Sequence, residues 1–367
     1  MENYTSDSSD SDSQNKTLDY SRMTLNSSEL FNTIEQFALS ENKSIANIDT
    51  LLLYHNQITV LPININKFKN LKVLDVSSNG LTIFPEILAE CPLVSIIAKN
   101  NNLGDDSFPK SFSNIYLKEL NLNGNKLTSI PQQIIEAESL KYLYLGSNQI
   151  REIANGIWKL KSLQIFHVGG NQLVEVPDSL GMLQQLQALN LSENLLESLP
   201  ATIANLKNLK SLMLHKNKLQ TLPTEIIALK CLTELSLRDN PLVVRFVSSI
   251  SLNPPSLLEH AGRTVKLYGI PYGSPELPRS LVEYLNSAHH CVNPKCKGVF
   301  FDNRVEHVKF VDFCGKYRIP LMQYLCSSKC IEENNTKKVG KSGYDNNMIK
   351  KVLLGLCHRK VQEPLGT

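Results

Sequence analysis

Two close cysteine pairs stand near the C-terminal end of the chain, Cys291-Val-Asn-Pro-Lys-Cys296 and Cys326-Ser-Ser-Lys-Cys330. A C-x4-C pair followed by a C-x3-C pair can supply four thiolates to one tetrahedral zinc ion, and such a set leaves no open position for catalysis. The expected metal role is therefore structural. The alternative keeps all four as unligated buried thiols, with His289, His290, His307 or Cys314 available as substitute ligands. Between the pairs, Gly298-Val-Phe-Phe-Asp302 and Val308-Lys-Phe-Val-Asp-Phe313 read as two short strands. They hold too little apolar surface to fold without a staple.

No other constellation points to chemistry. Gly340-Lys341-Ser342 ends like a phosphate loop, but Asn335 occupies the place of the required earlier glycine. There is no Gly-x-Ser-x-Gly elbow and no His-Glu-x-x-His. The formal net charge of +3 on 367 residues gives no field that would select nucleic acid or an acidic membrane. No apolar run reaches the roughly 18 residues of a membrane span, and the first residues lack the apolar core of a signal peptide. A cytoplasmic, non-enzymatic chain is expected, in which eight cysteines serve as thiols or ligands and not as disulfides.

The element that must carry this module is periodic. The pattern L-x-x-L-x-L-x-x-N-x-L recurs with its asparagine at Asn56, Asn79, Asn101, Asn125, Asn148, Asn171, Asn194, Asn217 and Asn240. The intervals are 23, 22 and 24 residues, then 23 throughout. A single repeat cannot bury its own leucines, whereas a stack of nine forms one core, so the expected fold is α/β, a leucine-rich repeat solenoid with a parallel sheet on its concave face. In each repeat the asparagine is the buried side chain that satisfies backbone groups at the turn. Pro241 to Phe246 are expected to seal the end of the core.

Residues alternating with the buried leucines must face the concave surface. Tyr142, Tyr144, Ile165, His167, Met213 and His215 thereby gather on the middle and later repeats, a composition suited to holding a protein partner. His167 and His215 lie two repeats apart and are not read as metal ligands.

After the repeats, Ser256 follows two prolines as a helix N-cap, and Leu257, Ala261, Val265 and Tyr268 recur at helical spacing. Ser256, Leu257, Ala261 and Val265 resemble the elongin-binding box of the suppressor-of-cytokine-signalling (SOCS) domain. Leu277-Pro278-Arg-Ser-Leu281-Val-Glu-Tyr284-Leu285 is similar to that domain's leucine-proline segment and closing helix. The resemblance implies elongin binding through Leu257, Ala261 and Val265, and cullin contact through Leu277, Pro278, Leu281 and Tyr284. The competing reading makes both helices mere caps on the solenoid.

Residues 48 to 330 as a whole resemble the leucine-rich repeat-containing protein 58 family, most specifically in LLEHAGRTVKLYGI, CVNPKCKGVFFD and KFVDFCGKYRIPLMQYLCSSKC. That resemblance implies an intracellular adaptor. The expected organisation is a disordered acidic and serine-rich tail over 1–40, the solenoid with its cap over 41–252, and elongin/SOCS-box-like helices over 253–288. A cysteine-rich zinc module over 289–332 and a flexible tail over 333–367, with a short helix from Met348 to Leu356, complete it. The expected function is that of a cullin-RING ubiquitin ligase substrate receptor binding a protein substrate, elongin B/C and a cullin. The alternative is a signalling scaffold for a GTPase or phosphatase without ligase coupling.

Overall fold

The computed structural model describes residues 16–39, 45–110, 112, 116–243, 255–273, 276–293, 296–313 and 317–332. Each repeat contributes one three-residue strand: β2 (Thr50–Leu52), β3 (Val73–Asp75), β4 (Ser95–Ile97), β5 (Glu119–Asn121), β6 (Tyr142–Tyr144), β7 (Ile165–His167), β8 (Ala188–Asn190), β9 (Ser211–Met213) and β11 (Glu234–Ser236). Its middle residue, as in Leu51, Leu143, Phe166 and Leu212, is fully buried. The residues on either side face outward, as the two-residue period of a strand requires. With β1 (Thr17–Asp19) the strands form one ten-stranded sheet in sequence order, parallel throughout. On the opposite side the chain returns through single 3-10 turns, several opening at a proline such as Pro62, Pro85, Pro177 or Pro200, and one short helix, α2 (Gln132–Ile135).

The repeat asparagines stitch neighbouring turns together. Asn148 accepts the Leu127 N–H at 3.1 Å and donates to the Leu122 and Leu145 carbonyls, both at 3.0 Å. The same bonds recur at Asn171, Asn194 and Asn217. Each therefore satisfies buried backbone groups of two repeats. The residue before every repeat asparagine lies in the left-handed region, Gly124 and Gly170 among them, but also Ser147, Glu193 and Lys216. Ladder hydrogen bonding holds these side-chain-bearing residues in a conformation that glycine adopts more readily.

At the N-terminal end the structure corrects the expected disordered tail. Residues 16–39 are folded, as β1 and α1 (Ser27–Leu39). The Asn26 side chain accepts the Ser28 and Glu29 N–H groups while Glu29 accepts the Asn26 N–H, a reciprocal cap. Leu30, Ile34 and Phe37 then bury one stripe of the helix over the first repeat. Asn56 reaches back to the Met23 and Leu25 N–H groups, so this segment works as an extra turn of the solenoid. The acidic serine run at 6–13 and the helix expected at 348–356 lie outside the described residues.

The C-terminal module is built from β12 (His289–His290), β13 (Val299–Phe300), a long hairpin of β14 (Val305–Phe313) and β15 (Tyr317–Leu325), and three helices. These are α3 (Leu257–Leu267), α4 (Arg279–Asn286) and α5 (Lys329–Glu332). A short strand of the last turns, β10 (Leu222–Pro223), pairs in parallel with Leu321–Met322 of β15. Ile319 and Leu321 thereby join the solenoid core, so that a distant chain shares the closure expected of Pro241 to Phe246, of which Leu242 packs on the same core. Of that expected cap, residues 244–246 lie outside the described residues.

Candidate metal centre and docking helix

Each cysteine pair sits at a strand end beside a tight turn. Cys291 follows β12 and its N–H donates to the Gly298 carbonyl at 2.9 Å, while the Cys296 N–H donates to the Asn293 carbonyl at 2.9 Å. Cys326 follows β15, and Cys330 lies in the first turn of α5 with its N–H on the Ser327 carbonyl. The four Sγ atoms lie within 4.8 Å of one another. Cys296 and Cys326 are 3.4 Å apart at sulfur, Cys326 and Cys330 3.7 Å. A tetrahedron of thiolates with metal–sulfur bonds of 2.3 Å has sulfur spacings of about 3.8 Å, so the donor set fits one ion.

The turns are shaped to this cluster. The Gly298 N–H lies 3.3 Å from the Cys296 sulfur, and a Cβ at Gly298 would come within 2.7 Å of the Cys326 sulfur. Burial first, then the hydrogen bond with Cys296 and the neighbouring thiols, pushes the Cys326 thiol far up. A cation reverses that preference by neutralising the thiolates. Among the described residues these four form the one gathered group of potential metal ligands. His289 and His290 are not part of that group and line a cleft of about 480 Å³ with Pro200 and Pro223, while Cys314 lies outside the described residues.

The helix before this cluster packs on it with its polar side. Ser256 caps α3 by accepting the Glu259 N–H at 3.1 Å. Glu259 is only 2% exposed. Its carboxylate accepts the Phe301 and Asn303 N–H groups at 3.3 and 2.9 Å and pairs with Arg263. Arg263 in turn donates to the Cys326 carbonyl at 2.8 Å and to the Asn303 carbonyl. Gly262 makes this approach possible, because a Cβ there would meet the Phe301 ring at 2.9 Å. None of Glu259, Gly262, Arg263 or Phe301 is marked by the sequence pattern, since an i, i+4 Glu–Arg pair ordinarily reads as a solvated helix face.

The opposite side of α3 is apolar and outward. Leu257 is 86% exposed, Leu258 48% and Tyr268, just past the helix, 75%, with Ala261 exposed between them. Val265 is half-buried and packs on a small core of Leu285, Val299 and Phe301. Of the residues matched to the leucine-proline segment, Leu277 and Tyr284 pack on that same core, Tyr284 stacked on Phe301 with ring centroids 4.5 Å apart. Pro278 is exposed at the start of α4, and Leu281 is half-buried.

On the concave sheet, Tyr144, Ile165, His167 and Met213 line one hollow of about 410 Å³ together with Asn121, Asn123 and Asn190. The Tyr144 and His167 rings are 6.4 Å apart. The imidazole lies over Gly146, where a Cβ would come within 2.4 Å of it. Burial lowers the pKa of His167, which favours the neutral form of its ring. Tyr142 and His215 stand beside the hollow, the first near Gln164 and the second near Ser236.

The family model described as leucine rich repeat matches residues 115–173 and 184–242, and a second leucine rich repeat model matches 70–91. Leucine-rich repeat-containing protein 58 of Xenopus laevis is 62% identical over 86% of this chain and 92% of that protein. The Homo sapiens protein of the same name is 61% identical over 84% of this chain and 85% of its own length. Among solved structures, a TDR receptor is similar in fold, with a TM-score of 0.50 and 24% identity over 59% of this chain and 42% of that one. Repeats of this kind are protein-binding modules, generally without catalytic activity, and among the described residues no helix is long and apolar enough to cross a membrane.

Proposed function

The chain belongs to the leucine-rich repeat-containing protein 58 family, and from that premise we propose that it is the substrate receptor of a cullin-RING ubiquitin ligase. In this reading a protein substrate lies on the concave strands around Tyr142, Tyr144, Ile165, His167, Met213 and His215. The outward side of α3 docks elongin C of an elongin B/C pair through Leu257 and Ala261, with Val265 seating the helix. Pro278 and Leu281 meet the cullin, supported from beneath by Leu277 and Tyr284. A zinc ion on Cys291, Cys296, Cys326 and Cys330 supplies folding energy to the module and no catalysis. The receptor breaks no bond; it raises the effective concentration of substrate lysines beside the charged ubiquitin carrier, in the cytoplasm.

The observation that carries the reading is the inverted polarity of α3, with Leu257 86% exposed and Glu259 2% exposed. A helix that merely capped the solenoid would bury its leucine and expose its glutamate. An amphipathic helix offering its apolar side to a groove is a recurrent mode of peptide recognition. A scaffold for a GTPase or phosphatase without ligase coupling has no need of such a face.

Purified elongin B/C tests the reading directly. Burying a leucine side chain contributes about 1.5–3 kcal/mol, so Leu257→Arg is expected to weaken capture at least about tenfold. Undiminished capture by the folded variant would overturn the assignment.

A further inference from the structure

We propose that metal occupancy of the four-cysteine site controls presentation of the apolar face of α3, with Arg263 as the positioning residue that joins them. This rests on α3 being the docking helix. Two polar anchors of its inward face end on the metal module, while a third, Lys266, donates to the Tyr272 hydroxyl beside α4. Glu259 holds the N–H groups of Phe301 and Asn303, and Arg263 holds the carbonyls of Asn303 and Cys326. Cys326 is itself a ligand position, and Phe301 follows directly on the strand that leaves Cys296. The fully buried apolar core of the module is small: Leu285, Val299 and Phe301 in one cluster, edged by partly buried Val265, Tyr272, Leu277 and Tyr284, and Cys291, Val305, Leu325 and Cys330 in the other. Two of those four core residues are the proposed ligands.

A buried ion pair stabilises little by itself, because desolvation offsets its attraction, but it fixes geometry once its partners are in place. The backbone groups that Glu259 and Arg263 grip are in place only while the loops bearing the cysteines are folded. In a core this small, metal-binding free energy is folding free energy. Loss of the ion therefore frees α3 to turn or fray, and its apolar face ceases to be a fixed surface. Away from its last turn, where Ile319 and Leu321 of β15 join the core, the solenoid rests on its own leucine and asparagine framework and does not share that dependence. By linkage, a partner that binds ordered α3 must tighten the metal by the same factor that the metal tightens the partner.

Hydrogen exchange on the full-length protein under a thiol reductant tests the coupling without requiring elongin. Chelation is expected to speed exchange of residues 257–267 by about tenfold or more, and zinc sulfate to restore it, with residues 165–213 unchanged. Calorimetry with elongin B/C should show affinity falling by a comparable factor on chelation. Arg263→Lys, which keeps the charge but cannot span two carbonyls, is expected to loosen α3 with zinc still bound. Equal protection of α3 with and without metal overturns the coupling, as does a protein that takes up no zinc. Equal elongin binding in both states overturns it while leaving the docking reading intact. Metal-dependent protection of α3 with no elongin binding sustains the coupling and overturns the docking reading instead.

Discussion

The repeat array and the C-terminal module solve the same problem, holding a short element against a core, by opposite means. In the array every turn has its own asparagine and its own leucines, so no single residue is the sole support of a strand. In the module one buried ion pair and four sulfurs hold a docking helix over a few apolar side chains. A stack of near-identical units distributes stability along its length and makes a rigid surface. A small core with a few decisive contacts makes a surface whose order follows those contacts.

The sharpest way to break this contrast is to remove Arg263. Arg263→Leu leaves Glu259 buried with its charge uncompensated, and removal of one partner of a buried pair typically costs about 3–5 kcal/mol. The loss should be confined to the module. The chain has a single tryptophan, Trp158, and it sits in the array. Its fluorescence transition in urea should therefore stay in place while exchange of residues 257–267 and 299–303 accelerates. A matched loss in the tryptophan transition would show the two regions to be one cooperative unit.

Asn148→Ala makes the converse test, with a smaller effect. It leaves the Leu127 N–H without its acceptor in a buried turn, while the Leu122 and Leu145 carbonyls each keep one donor, from Asn125 and Asn171. Such an unsatisfied group costs about 1–3 kcal/mol. The Trp158 transition should move to lower urea while the protection of α3 is retained.

The same contrast explains what the sequence discloses. The array is legible because each repeat asparagine, from Asn56 to Asn240, must recur at one spacing for its bonds to reach the next turn. The cysteine cluster is legible because ligand chemistry demands that residue type in pairs. The segment 16–39 is concealed by its Ser- and Asn-rich composition. The spacing of Leu30, Ile34 and Phe37 behind the Asn26-Ser-Ser-Glu29 cap nevertheless records the helix. Glu259 and Arg263 leave no such trace. Their inward direction depends on backbone groups at Phe301 and Asn303, some forty residues away, which a local pattern does not encode.

Acid should act on both regions through one imidazole each, and more weakly than either substitution. Burial lowers the pKa of His167 in the array and, with help from Lys309, that of His307 on β14. With the folded pKa below the usual value of about 6.5, the unfolded chain binds protons first as pH falls. Stability from these groups is therefore present above about pH 6.5 and declines below it. Glu35 and Glu193 are held low by hydrogen bonds from Lys67 and Lys216, so their contribution fades only at more acid pH. Thermal unfolding followed at Trp158 should thus show a shallow decline from about pH 7 to 5.5, and His167→Gln should flatten it. His307→Gln should leave that decline unchanged and flatten instead the pH dependence of exchange along β14. A slope that His307→Gln altered at Trp158 would mean that the β10–β15 pairing transmits module stability into the array, and the independence of the two regions would fail at that seam.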